Sequence, residues 1–463
     1  MGPSFKKKII LFYAGITESG FNNASGNEGS WMNHGLCSIS ATLKSAGYPV
    51  SLIDLRRLKG WEHLESVLTE QDFDIAGLTM MSVDFNPVNK CIETIKRIRP
   101  RVKVLVGGAH ASIAPEELAA NNNIDHVFVG EAEVSLLDFL RKEEAGEQNP
   151  RLIYGEKPDL DRLPFVDRGL FALPEEPFVP FLLRPFVTII AGRGCTYNCN
   201  YCQPAERIIF GKNVRRRSVD NVIEELKALR SKFRFNSFMI HDDCLTEDRK
   251  WVLEFCDKYQ GNGFRQPFVC QSRADLIVKN KDAFRRLRDC GLILCLIGFE
   301  SGSPRILKFL KKGCSLEQNL EAAEICHKLN VKIWANYMLG VPTETKEEQE
   351  ETVTMIKKIR PYHCSPAYYT PHPGSDLFQY CIENNLSLID SHDRYRRSSY
   401  EPKIRGIDYE HLKKLLYESI SVAEDQNLSL QEVISSPAAY LSNYPGKFFA
   451  KFRSLFRKPY NQE

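Results

Sequence analysis

The sequence predicts an α/β protein in two main parts: a doubly wound parallel-sheet domain, then a partial parallel β/α barrel of six repeats, followed by a helical C-terminal region. Three observations predict it. Strand and helix patterns alternate twice along the chain, and a proline-rich, acidic stretch separates the two series. The strands are short apolar runs, as in parallel sheets covered on both faces. At 463 residues the chain exceeds one ordinary core.

The first series occupies residues 1–142. Predicted strands fall at 8–13, 48–53, 75–80, 102–106 and 126–129, with helices at 35–46, 62–68, 87–98, 115–120 and 134–141. Residues 143–185 carry Pro158, Pro164, Pro174, Pro177, Pro180 and Pro185 and read as a linker. Residues 186–372 hold the second series, with strands at 186–191, 237–241, 267–271, 292–299, 332–339 and 363–369 and helices such as 219–232, 249–260 and 346–359. Residues 373–463 read as helical. Both sheet types bind ligands beyond the carboxyl ends of their strands.

Composition narrows the function classes. Hydrophobic residues make up 43% and charged residues 26%, ordinary for a soluble globular protein, and the net charge of +3 argues against nucleic-acid or membrane binding by the chain as a whole. Residues 1–8 are polar and the apolar run 9–14 is too short for a signal peptide. No stretch reaches the roughly 20 apolar residues of a membrane span. A cytoplasmic location follows as the expectation, with the fourteen cysteines acting as core residues, metal ligands or catalysts rather than disulfides.

Three of those cysteines stand together. Gly192-Arg-Gly-Cys195-Thr-Tyr-Asn-Cys199-Asn-Tyr-Cys202 directly follows the first barrel strand. Thiolates are the soft ligands of iron–sulfur clusters, and three within eight residues can hold three corners of a cubane, leaving one iron open. Structural zinc instead wants four ligands, usually in paired Cys-x2-Cys spacing, and no second pair follows. The pattern, with Tyr201 before the last cysteine, resembles the signature of the radical S-adenosylmethionine (SAM) superfamily over roughly residues 186–369. The resemblance implies a 4Fe-4S cluster on Cys195, Cys199 and Cys202, with SAM chelating the open iron and cleaved by one electron to a 5′-deoxyadenosyl radical.

Polar groups mark the other barrel strand ends: Asp242-Asp243, Ser272-Arg273, Glu300-Ser301-Gly302 and Gly340-Val341-Pro342-Thr343-Glu344. The resemblance places Arg273, Glu300 and Ser301 at the cosubstrate, and Tyr201 and Gly340 are expected there too. Helix capping is the competing role for Asp243, Ser301 and Thr343. The basic run Arg215-Arg216-Arg217 reads as solvated or ion-paired surface, with contact to an anionic ligand as the alternative. The remaining cysteines are core by default.

In the first domain, turns after successive strands read Met80-Met81-Ser82, Gly107-Gly108-Ala109-His110 and Gly130-Glu131-Ala132-Glu133. Neither a Gly-x-Gly-x-x-Gly turn nor a phosphate-binding Gly-x4-Gly-Lys-Ser/Thr loop is present. With the cysteine triplet and Gly298-Phe-Glu300-Ser301-Gly302, these turns resemble the cobalamin-dependent class of radical SAM enzymes over roughly residues 8–369. The resemblance implies a Rossmann-like cobalamin domain ahead of a partial TIM-type barrel, the corrin between them, and Ser82, Gly107, Gly108, His110 and Glu131 as cobalamin contacts. The Asp-x-His-x-x-Gly motif that supplies a lower axial histidine is missing, and His34 lacks its partners, so cobalt is expected without a histidine ligand.

The leading expectation is a cobalamin-dependent radical SAM methyltransferase acting on an unactivated carbon. By resemblance, one SAM methylates cobalamin and a second generates the radical that activates the substrate. A radical cyclisation, rearrangement or oxidation is the second reading, and a non-catalytic iron–sulfur or corrin-binding module the third. Expected partners are a flavodoxin- or ferredoxin-like reductant and a small-molecule, lipid or peptide substrate, with no nucleic acid. Tyr368, Tyr369 and His372 are candidate substrate contacts, with aromatic core packing the equal alternative for the tyrosines. In 446–458, Phe448, Phe449, Phe452, Leu455 and Phe456 share a helical stripe ringed by Lys and Arg. A terminal helix packed on the protein is the favoured interpretation of that tail, and peripheral membrane contact the alternative.

Overall fold

A computed structural model describes residues 6–22, 32–171, 183, 185–397 and 401–423. Its first sheet comprises β1 (Ile9–Tyr13), β2 (Val50–Asp54), β3 (Ile75–Thr79), β4 (Lys103–Gly107), β5 (His126–Val129) and β6 (Leu152–Tyr154), all parallel, in the order β2-β1-β3-β4-β5-β6. The chain leaves β1 toward one edge and returns toward the other, so the winding reverses beside β1, the geometry that opens a ligand crevice. Five of these strands match the expected ones. β6 falls in the presumed linker: Leu152 pairs with Val127, and the segment extends the sheet.

Side chains alternate across the strands, and the two faces bury separate cores. Ile10, Phe12, Ala76, Val104 and Val106 pack on one side, and Ile9, Leu11, Ile75, Leu105 and Phe128 on the other. The second face is covered by the helices His34–Ser45 and Glu133–Ala145, the first by Trp61–Glu70 and Phe85–Ile98.

The second sheet is also wholly parallel. It contains β7 (Phe186–Ile189), and, after the small antiparallel ribbon of β8 (Gly192–Arg193) and β9 (Arg215–Arg216), β10 (Ser237–Ile240), β11 (Phe268–Arg273), β12 (Leu292–Glu300), β13 (Lys332–Leu339) and β14 (His363–Tyr368). Sequential neighbours pair, giving the order β14-β13-β12-β11-β10-β7, an open half-barrel. Its outer face packs on helices including Val219–Phe233, Arg249–Gly261 and Lys346–Ile359. Phe238, Phe255, Tyr259, Phe264 and Phe268 are fully buried there, and each such side chain contributes about 2–3 kcal/mol of burial.

Local chemistry sets the helix starts. Ser315 with Gln318 and Thr345 with Glu348 form reciprocal capping boxes. The capping role foreseen for Asp243, Ser301 and Thr343 falls instead to Asp248, Ser303 and Thr345. Helices Asp376–Glu383 and Tyr409–Ser421 follow the half-barrel. The stripe at 446–458 lies outside the described residues. Among the described residues no helix is long and apolar enough to cross a membrane.

Candidate functional site

The cysteine loop leaves the half-barrel after β8. Backbone bonds pin it from two sides: Asn200 N–H donates to Leu310 and its side chain to Phe309, while Leu377 N–H donates to Asn200 and Asp376 N–H to Gln203. Within the loop, Cys202 and Gln203 N–H both donate to Cys199 carbonyl. All fourteen cysteines are free thiols.

The three loop thiols are not drawn together as a single zinc ion would draw them. Four-coordinate zinc with bonds of about 2.3 Å would gather its sulfurs to about 3.8 Å. Among the described residues, the set whose ligand atoms lie within 4.8 Å of one another is His110, Glu117 and His392, not the cysteines. Burial pushes the Cys195 thiol up to about 12, and burial with the neighbouring Cys199 and Glu300 holds Cys202 well above its ordinary value. A cationic iron body would reverse that preference by ligation.

Cations and carboxylates stand beside the thiols. Arg273 Nη1 lies 3.5 Å from Cys199 Sγ, its Nε donates to Asp275 at 2.9 Å, and its guanidinium stacks 3.6 Å from the Tyr197 ring centre. Lys312 Nζ donates to Glu300 Oε1 at 2.9 Å and lies 3.4 Å from the Tyr201 hydroxyl. Burial disfavours the Lys312 charge, but Glu300 and Cys199 raise its pKa overall. Glu300 itself sits at φ 63°, where the β12–β13 register slips, a strained conformation of the kind functional sites hold. Gly298 makes room for it: a Cβ there would meet Glu300 Oε1 at 2.4 Å and Lys312 Nζ at 3.0 Å.

A cavity of about 480 Å³ runs from the first domain to this loop. Its inner wall is one face of the first sheet, Ile9, Leu11, Ile75, Leu105 and Phe128, interrupted at Gly77 and Gly107. A Cβ on Gly107 would meet nothing nearer than Phe128 Cβ at 3.6 Å, so a side chain there would be accepted by its neighbours and would extend along the cavity wall. Gly108 differs: φ is 101°, and a Cβ would sit 2.9 Å from the Met80 backbone. Apolar walls widened by missing side chains suit a flat, apolar ring. Pro164, Phe165 and Val166, from the presumed linker, complete them.

The outer end of the cavity is polar and joins the domains. Arg193 pairs with Glu131 at 2.5 Å and Glu133 at 2.8 Å, and Arg215 also pairs with Glu131. Gly192, Arg193, Gly194, His241 and Asp243 line it, bringing the cavity to the cysteine loop. Burial, then the adjacent Asp243, raises the Glu206 carboxyl to about 8. His34 lines the cavity too, with Nε2 2.8 Å from Thr188 Oγ1, and burial holds its pKa well below the ordinary value.

The expected residues thus divide. Cys195, Cys199, Cys202, Tyr201, Arg273 and Glu300 converge at the barrel mouth, and Gly107, Gly108 and Glu131 line the cavity. Ser301 does not join them: it is fully buried, 3.1 Å from Thr352 Oγ1, and accepts from Ser303 N–H. Gly340 gives its N–H to Glu344 and packs against Leu412. Ser82 and His110 bond each other at 3.0 Å, apart from the cavity walls. Tyr368 packs with Leu339, Leu412 and Leu416, and Tyr369 with Val341, Leu377 and Ile404, so core packing prevails for both. His372 is exposed, yet burial by surrounding protein lowers its pKa to about 4, as on the wall of a concave surface. Arg215, Arg216 and Arg217 are ion-paired, to Glu131, Asp242 and Glu225. Lys312 and Arg193 were not foreseen. Arg193 had one signal, its place between the two glycines before Cys195.

A half-barrel with three thiols at its mouth, below an open parallel sheet with a ligand cavity, defines a cobalamin-dependent radical SAM enzyme. Residues 189–356 match the Radical SAM superfamily and residues 27–140 the B12 binding domain, and the chain belongs to the enzymes that combine the two. It is 27% identical over 424 residues to an uncharacterized methyltransferase of Pyrococcus horikoshii, covering 88% of this chain and 90% of that protein. It is 25% identical over 392 residues to an anaerobic magnesium-protoporphyrin IX monomethyl ester cyclase of Rubrivivax gelatinosus, covering 80% and 69%. The radical S-adenosylmethionine methyltransferase TsrM of Kitasatospora setae, solved with cobalamin and a [4Fe-4S] cluster, shares the fold at a TM-score of 0.66 and 13% identity, covering 97% of this chain and all of that one.

Proposed function

We propose that this enzyme transfers a methyl group from SAM to an unactivated carbon of its substrate. The observation that carries the proposal is the continuity of the cavity: it starts at the glycine-trimmed face of the first sheet and ends at Gly192, Arg193 and Gly194, against Cys195. Residues lining that cavity would hold a corrin, and its polar end adjoins the loop that would hold the cluster and SAM. When bound, the cluster and SAM supply a carbon-centred radical, and the corrin supplies the methyl group.

The chain's own residues do the rest. Cys195, Cys199 and Cys202 hold three irons. Glu300, locked by Lys312, and Arg273, locked by Asp275, orient the charged end of SAM with fixed donors and acceptors. Gly107 would admit the corrin tail, and the Arg193–Glu131–Arg215 group closes the seam between the domains against water. His34 is occupied by Thr188, which supports cobalt without a histidine ligand. His372 is retained as the candidate substrate contact. The working division stays at 1–142, 143–185, 186–372 and 373–463. A flavodoxin- or ferredoxin-like donor in a reducing, cytoplasmic setting supplies the electron, in keeping with fourteen free thiols.

The similarity to a cyclase supports a second reading, radical ring formation without methyl transfer. Anaerobically reconstituted enzyme, given reductant, corrin and methyl-labelled SAM, separates the two. Methyl transfer predicts S-adenosylhomocysteine release that depends on bound corrin, alongside 5′-deoxyadenosine. 5′-Deoxyadenosine alone, at full corrin loading, favours the second reading and overturns the first.

A further inference from the structure

One group of ligand-type side chains lies outside both the cavity and the cysteine site. His110, 1% exposed, follows the glycine turn after β4; Glu117 lies on the helix Pro115–Ala119; His392 begins the short helical turn His392–Tyr395 of the C-terminal region. Their ligand atoms all lie within 4.8 Å of one another. His110 Nε2 is 3.3 Å from Glu117 Oε2, and His392 Nε2 is 3.6 Å from Glu117 Oε1. Tetrahedral zinc with bonds of about 2.0–2.1 Å places its ligand atoms about 3.3–3.4 Å apart, close to both separations.

The surroundings fit a ligand set. His110 Nδ1 is 3.0 Å from Ser82 Oγ, the outer partner that fixes the ring and turns the Nε2 lone pair inward. Nε2 is buried without a hydrogen bond: Glu117 is near enough but out of line. Phe85 stacks on His392 at 3.9 Å and meets His110 edge-on at 5.3 Å, walling the rings on one side. Two imidazoles and one carboxylate suit a borderline transition metal, not magnesium or calcium, which prefer oxygen throughout.

We propose that His110, Glu117 and His392 bind one divalent ion of the zinc type, with water in the remaining position, and that the ion ties residues 391–396 to the first domain. This rests on these side chains alone and not on the methyl-transfer proposal. The test uses full-length protein in which Cys195, Cys199 and Cys202 are all serine, so that misplaced zinc at the cluster site cannot contribute. After zinc loading and desalting, elemental analysis is expected to find about one zinc per chain. His392→Ala and Glu117→Gln each remove it, and Ser82→Ala weakens it about tenfold. Cobalt substitution is expected to give the visible bands of a four-coordinate ion, and zinc to slow amide exchange in 391–396. Unsubstituted holoenzyme should carry one zinc beside its iron. Absence of zinc from the triple-serine protein overturns the proposal. So does zinc that persists in both Glu117→Gln and His392→Ala; the partly exposed Glu117 keeps the test valid if the histidine variant does not fold.

Discussion

The two six-stranded sheets are both wholly parallel, yet they offer different kinds of site. The first reverses its winding beside β1 and gives up side chains at Gly77 and Gly107, so its cavity lies against one face of the sheet. The second pairs its strands in sequence, has no reversal, and gathers charge at its strand ends: Arg273 and Glu300, with Lys312 nearby. One sheet offers shape and removed volume, the other thiols and charge. Parallel pairing therefore fixes where a ligand goes, beyond the strand ends or beside them, but the residues left at those places decide what it is.

Substitutions can break that contrast. The largest effect is expected at the ligation end: Cys199→Ser is expected to abolish the cluster's absorbance and all 5′-deoxyadenosine formation, while corrin loading persists. The opposite variant, Gly107→Leu, fills open space and is expected to cut bound corrin, read by absorbance, while iron content and melting temperature stay near the wild-type values. Gly108→Ala is expected instead to cost about 1–3 kcal/mol of stability, measured by denaturant unfolding, because its conformation and its space both exclude a side chain.

Smaller effects sharpen the charged half. Lys312→Met strands Glu300 among buried groups and is expected to weaken SAM binding by roughly 10- to 100-fold, measured by equilibrium titration, with cluster content unchanged. Arg193→Met removes the partner of Glu131 and Glu133 at the seam, and faster amide exchange on both sides of it is expected. The smallest is a pH slope. Burial pushes the Glu344 carboxyl from 4.5 up to about 8, although the Gly340 and Val341 amides oppose this. The fold thus prefers it protonated: that contribution is full below pH 4.5 and is lost as pH rises through about 8. Between about pH 5 and 8, wild type is expected to lose unfolding stability more steeply than Glu344→Gln.

Comparison of individual residues shows why some roles were legible and others not. The cysteine triplet and Gly107-Gly108 stand out in the sequence because thiol spacing and removed volume are written in residue type and local spacing. The surroundings of Ser301 and Gly340 were not legible for the complementary reason. Each sits beside a polar strand end or turn, and only the packing of Thr352 or Leu412 against it shows what it faces. Tyr368 and Tyr369 belong to the same group: an aromatic at a strand end faces a cavity or a core according to what the later helix Tyr409–Ser421 and its neighbours cover.

The sequence by itself determined the two parallel series, their order, the three thiols and the glycine turns, because periodicity and short-range spacing carry that information. Tertiary structure alone decided that 152–154 joins the first sheet, that Arg193 bridges to Glu131 and Glu133, that Lys312 fixes Glu300, and that His392 comes to His110 and Glu117. Those contacts join residues far apart in the chain, and no local pattern encodes which of many charged side chains will meet once two cores have packed together.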